Sequence, residues 1–165
     1  MTEVLDEFYR MVPEDNVQFY KDMAQKAVHL GYKPKRDKTK HLALSFSSSK
    51  YKATILRFVC EKNQPSFRLK FLSTKNYSAV FDESIKHTLE EYNFKYVGCY
   101  GCEKCPDVLE GYDVVYEDGR KYFRCGFELI EVSKIDNEIE KEVEEMLETQ
   151  TKYYENKIME EKESK

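Results

Sequence analysis

No apolar run in this 165-residue chain approaches the about 20 residues needed to cross a bilayer, which excludes a helical membrane-spanning protein. The opening residues, Met1 to Arg10, lack a basic stretch followed by an apolar one, so no secretory signal is expected. Histidine is scarce. His29, His41 and His87 are scattered without a partner at ligand spacing, leaving His87 only as a substitute ligand for a site built from other residues. The chain has no G-x-S-x-G, Walker, H-E-x-x-H or G-x-G-x-x-G element. Its paired carboxylates, Asp82-Glu83 and Glu90-Glu91, fall on a helical pattern where solvated charge is the default. No catalytic constellation can be named, and an enzyme is not the expectation. Nothing repeats at a solenoid period, and only the Glu-rich end is compositionally biased.

What is present suffices for one core. Hydrophobic residues make up 41% of the chain, close to an ordinary globular domain. The net charge of −4 hides an asymmetry, because the stretch from Asp136 onward carries eleven acidic and five basic residues. An acidic end is thus attached to a weakly basic body, and neither is charged enough to make the whole a nucleic-acid binder.

Periodicity divides the chain into elements. Leu5, Phe8, Tyr9 and Val12 predict a short helix over Val4 to Met11. Pro13 suits the first turn of the next helix, Glu14 and Asp15 favour its positive end, and Gly31 is placed to close it. After Gly31 the apolar period falls to two. Leu42, Leu44 and Phe46, then Leu56, Phe58 and Cys60, then Phe67, Leu69 and Phe71 predict three half-buried strands. The last two are joined by a hairpin over Glu61 to Pro65, and the alternation puts Arg57, Arg68 and Lys70 on the face away from the core. Ser78 predicts a helix start, with Phe81, Ile85, Thr88, Leu89 and Tyr92 inward. Phe94 to Val97 reads as a short strand. Asp118-Gly119 joins strands over Tyr112–Tyr116 and Lys121–Cys125, and Phe127 to Val132 continues extended. A long helix is expected from Ser133 to Met159. The predicted fold is α+β: a mostly antiparallel sheet with N-terminal helices, one central helix and a long C-terminal helix. It is expected to form a single domain over 1–159, with a Cys-rich metal-binding insertion at 98–125 and a frayed acidic tail over 160–165.

The strongest chemical signal is Cys99-Tyr100-Gly101-Cys102-Glu103-Lys104-Cys105-Pro106. Two-residue spacing lets tight turns aim neighbouring thiolates at one ion. Counting back from a two-residue Asp118-Gly119 turn sets Cys125 opposite Tyr112, near that loop. Cys99, Cys102, Cys105 and Cys125 are therefore the candidate ligands of a structural zinc ion. The run also resembles the first three ligands of a bacterial ferredoxin, which makes an iron–sulfur cluster the alternative cofactor. It departs from that pattern where Pro106 follows the third cysteine and no C-x3-C element completes the set. Free thiols, including a redox pair of Cys99 and Cys102, are the third reading. Cys60 alternates with Leu56 and Phe58 and reads as a small core residue.

Lys33 to His41 is rich in lysine and, with Arg57, Arg68 and Lys70, could form a basic face. A solvated loop is the simpler account, and tight nucleic-acid binding is not expected. Together these readings describe a small cytoplasmic binding or regulatory domain with a four-cysteine zinc site. It would act on an unidentified protein or small-molecule partner, away from membranes, as a monomer or weak homodimer. An iron–sulfur or thiol redox protein and a nucleic-acid-binding accessory protein are the alternatives.

Overall fold

The computed structural model describes residues 2–164. The chain runs α1 (Thr2–Tyr9), α2 (Glu14–His29), β1 (Lys33–Arg36), β2 (Leu42–Ser48), β3 (Ala53–Glu61), β4 (Gln64–Leu69), α3 (Ala79–Glu91), β5 (Gly111–Val115), β6 (Lys121–Cys125), β7 (Ile130–Glu131) and α4 (Asn137–Glu163). A five-stranded sheet in the order β1-β2-β3-β4-β7 is antiparallel throughout, and β5-β6 forms a separate two-stranded sheet. The architecture is α+β, as the change of period in the sequence implies.

One face of the large sheet carries the aromatic core. Phe46, Phe58 and Phe67 are fully buried, and α1 and α2 lay Phe8, Phe19 and Tyr20 on them. The rings of Phe8, Tyr20 and Phe46 stand 5.1, 5.0 and 4.9 Å from that of Phe58, which also meets Phe67 at 6.0 Å. α2 ends as Gly31 suggests. Gly31 takes φ +100°, its N–H bonds the Val28 carbonyl, and the Tyr32 N–H reaches back to Ala27. α4 lies beside α2, burying Ile139, Val143, Met146 and Leu147. Gln150 is also buried, and its Oε1 accepts from the Ser73 N–H at 3.1 Å and hydroxyl at 2.8 Å.

The differences from the sequence reading have local causes. α4 starts at Asn137 rather than Ser133, because the Asp136 side chain caps the N–H groups of Glu138 and Ile139. Ser78 precedes α3 without capping it, since its hydroxyl donates instead to Glu142 of α4 at 2.7 Å. The basic segment is not all loop: Lys33–Arg36 forms β1, an edge strand whose lysines and Pro34 suit an unpaired border. The β3–β4 connection is a two-residue turn at Lys62 and Asn63, both with positive φ. Phe94 to Val97 is turn rather than strand, and only Ile130–Glu131 of the last extended run pairs.

α2 and α4 also meet through like charges. Burial, with the Asp22 carboxylate of α2 in hydrogen-bonding reach, raises the Glu140 carboxyl of α4 to about 7, and Glu144 adds to the effect. Lys26 and Glu148 form an opposing ion pair across the same two helices.

Two outcomes are expected. Phe58→Ala should cost about 3 to 5 kcal/mol, read from the urea unfolding midpoint, because it removes the ring around which four others pack. Glu140 binds a proton more tightly folded than unfolded. Its contribution is therefore complete below the ordinary pKa of 4.5 and is lost as pH climbs through about 7. Glu140→Gln should accordingly stabilise the protein at about pH 8 and change little in acid. Identical pH dependence of stability in parent and variant would remove the shared proton from this account.

Candidate functional site

Strand pairing sets a polar row across the large sheet, on the face opposite Phe58. Lys35 of β1 pairs with Ser45 of β2, Ser45 with Arg57 of β3, Arg57 with Arg68 of β4, and Arg68 with Glu131 of β7. Two arginines directly opposite on neighbouring strands repel one another, an arrangement that a sheet does not adopt for stability. Arg57 is neutralised locally. Its Nε lies 3.2 Å from the Asp37 carboxylate and donates to the Ser45 hydroxyl at 2.9 Å, while that hydroxyl donates to Asp37 at 2.8 Å. Arg68 has no such bonded carboxylate, only Glu131 opposite it on β7. Among the described residues it forms no ion pair, and its buried Nε has no hydrogen-bond partner.

A third arginine arrives from the small sheet. Gly98, at φ +84°, donates its N–H to the Phe123 carbonyl and bridges to Arg124 of β6, which ties the cysteine loop to this strand. Arg124 is only 5% exposed. One guanidinium NH2 group donates to the Tyr96 carbonyl at 3.2 Å and the other lies 3.9 Å from Glu128, but Nε is buried with no partner. Arg57, Arg68 and Arg124 line one cavity of about 250 Å³, walled by the C-terminal end of α3 through Thr88, Glu91 and Tyr92. Tyr96, Glu128, Leu129 and Glu131 complete its surround.

Lys70 follows Arg68 on the same face and is 6% exposed. Burial pushes its ammonium down to about 8, with Glu128 and Cys125 opposing the shift and Arg57 adding to it. The ammonium stands 5.1 Å from the Phe127 ring, which Lys104 also approaches at 5.4 Å.

The four cysteines do not behave as the spacing suggests. Among the described residues, no group of three or more cysteine, histidine or acidic side chains gathers to hold a metal ion. The expected zinc-binding cluster of Cys99, Cys102, Cys105 and Cys125 is therefore overturned. Cys99 and Cys102 are exposed, and the Cys99 sulfur accepts the Gly101 N–H at 3.3 Å. Cys105 lines a different groove, against Tyr153 and Lys157 of α4. Cys125 is buried. Its register also differs by one residue: the hairpin closes with a three-residue loop in which Gly119 takes φ +92°, so Gly111 faces Cys125 and Tyr112 faces Arg124. That shift brings Arg124, not the cysteine, opposite Tyr112.

The groove beside Cys105 is larger, about 590 Å³, but the groups facing each other across it, Glu110, Tyr153 and Lys157, are engaged with one another. Tyr153 donates to Glu110, and Lys157 pairs with the same carboxylate at 3.4 Å. The arginine cavity differs in having buried donors left over. Three guanidinium groups around a small cavity can bind an oxyanion through charge-assisted hydrogen bonds. Arg57, Arg68 and Lys70 were legible in strand alternation. Arg124, Glu91, Tyr92 and Tyr96 were not, although an arginine within the aromatic strand Tyr122-Phe123-Arg124 is a signal that could have been read.

No protein-family model, curated protein or solved structure matches this chain.

A site held for binding should cost stability. Arg68→Met keeps much of the side-chain volume while removing the Arg57–Arg68 repulsion and the orphaned Nε. It should raise stability by about 1 kcal/mol, seen as a thermal midpoint a few degrees higher. A destabilised variant would mean that Arg68 is structural.

Proposed function

We propose that this protein is a binding module that takes the anionic group of a small ligand in the cavity between Arg57, Arg68 and Arg124. The observation that carries the reading is the Nε of Arg124, buried without a partner in a side chain that is 5% exposed and lines the cavity. Buried donors in folded proteins are almost always satisfied, and leaving one unmade costs about 1 to 3 kcal/mol. A carboxylate or phosphate in the cavity would meet the guanidinium groups of both Arg124 and Arg68. The cavity volume of about 250 Å³ suits a small molecule better than a nucleic-acid duplex. Arg36 of the basic segment is already paired with Glu7 at 2.9 Å. The reading carries with it a monomer or weak homodimer, since α4 buries Ile139, Val143, Met146 and Leu147 in its own domain. It also carries a cytoplasmic location, where five free cysteines suit a reducing compartment. No helix in the described residues is long and apolar enough to cross a membrane.

Calorimetric titration with inorganic phosphate and with acetate tests the reading. The parent should bind at least one of them saturably. Arg124→Gln should weaken that binding by about tenfold or more, and Lys121→Gln, an exposed change on the same strand, should not. Binding unaffected by Arg124→Gln, or no binding to either anion or to any small carboxylate tried beside them, would defeat it.

A further inference from the structure

The anion-binding reading leaves the rest of the ligand open, and the remaining groups of the same cavity narrow it. We infer that the ligand is a zwitterion of the α-amino-acid class, its carboxylate held by Arg68 and Arg124 and its ammonium by Glu91 and Glu131. This inference rests on the proposed function above.

Charges in the cavity divide into those already satisfied and those left over. Arg57 is occupied by Asp37, and Arg124 has a Tyr96 carbonyl and a distant Glu128. The buried Nε atoms of Arg68 and Arg124 remain on the positive side. Glu91 and Glu131 also line the cavity and, among the described residues, take part in no ion pair or side-chain hydrogen bond. Glu91 is the last residue of α3, a helix with no basic residue in its final turn. Its carboxylate therefore adds to the negative end of the helix dipole, and together they attract a cation.

The cavity thus has two signs. Three arginines face three glutamates around about 250 Å³. A diphosphate or triphosphate would gain from the arginines but be repelled by Glu91, Glu128 and Glu131 at close range. A simple monoanion would leave Glu91 without a counterion and would compete with Glu131 for its cross-strand partner Arg68. A molecule with one carboxylate and one ammonium satisfies both walls and adds no net charge to a partly buried site, where uncompensated charge is costly. Tyr92 and Tyr96 stand at the rim with rings 5.3 Å apart, edge to face, and are 42% and 40% exposed. They offer an apolar surface for the ligand's side chain and a π-face near its ammonium.

The experiment uses the full chain and each of the common L-amino acids in turn, by thermal shift and then calorimetry, with acetate and inorganic phosphate alongside. The best-bound amino acid is then compared with its N-acetyl derivative, which lacks the ammonium, and its methyl ester, which lacks the carboxylate. At least one free amino acid should bind, and each derivative should bind about tenfold more weakly or worse. Glu91→Gln, an exposed change that leaves the core untouched, should reproduce the loss for the free amino acid and not for its N-acetyl form. An N-acetyl derivative that binds as well as its parent, or acetate and phosphate binding where no amino acid does, overturns the zwitterion and leaves the anion site standing. Failure of every anion and every amino acid to bind defeats both.

Discussion

Phe58 lies in the middle of β3 with the rings of Phe8, Tyr20, Phe46 and Phe67 around it, and this aromatic contact organises the molecule. It draws both N-terminal helices onto one face of the large sheet, and α4 then packs beside α2. Because successive side chains of a strand point to opposite faces, committing Phe58 and Phe67 to that core also commits Arg57 and Arg68 to the other side. A slip of one residue in β3 or β4 would put guanidinium groups into the aromatic core, so the register is strongly held.

The far face is only partly covered, and what covers it is charged. The end of α3, the loop tied to Arg124 through Gly98, and the turn carrying Phe127 enclose a cavity over the arginine row. Repulsion between Arg57 and Arg68, two orphaned guanidinium nitrogens and a buried Lys70 all oppose folding there. The aromatic face supplies the surplus that tolerates them. Local rules broken together in one place, on a scaffold that obeys them elsewhere, are the usual physical mark of a site kept for binding.

The cysteine loop shows how far spacing arguments reach. Two-residue intervals make a shared metal geometrically possible, but possibility along the chain is not convergence in space. Cys105 turns toward α4, Cys99 and Cys102 face solvent, and the three-residue turn at Gly119 moves Cys125 by one position. What the loop does carry is Gly98, whose backbone contact helps set Arg124 over the sheet.

Local physics made much of the fold readable from the residues alone. The period of two through Leu56, Phe58 and Cys60 settles the inward face of β3, and the left-handed Gly31 settles where α2 stops. These follow from neighbours a few positions apart, which the chain always brings together. The site was half legible for the same reason: Arg57, Arg68 and Lys70 share a face by alternation. Arg124 lies some 56 residues beyond Arg68, and Glu91 sits on a helix between them. Their meeting depends on how the small sheet and α3 dock against the large one, through contacts such as Ser84 with Ser133 and Tyr112 with Phe71. No periodicity encodes such docking. It is decided by the tertiary packing of surfaces that are distant in sequence, and so the cavity exists only in the folded structure.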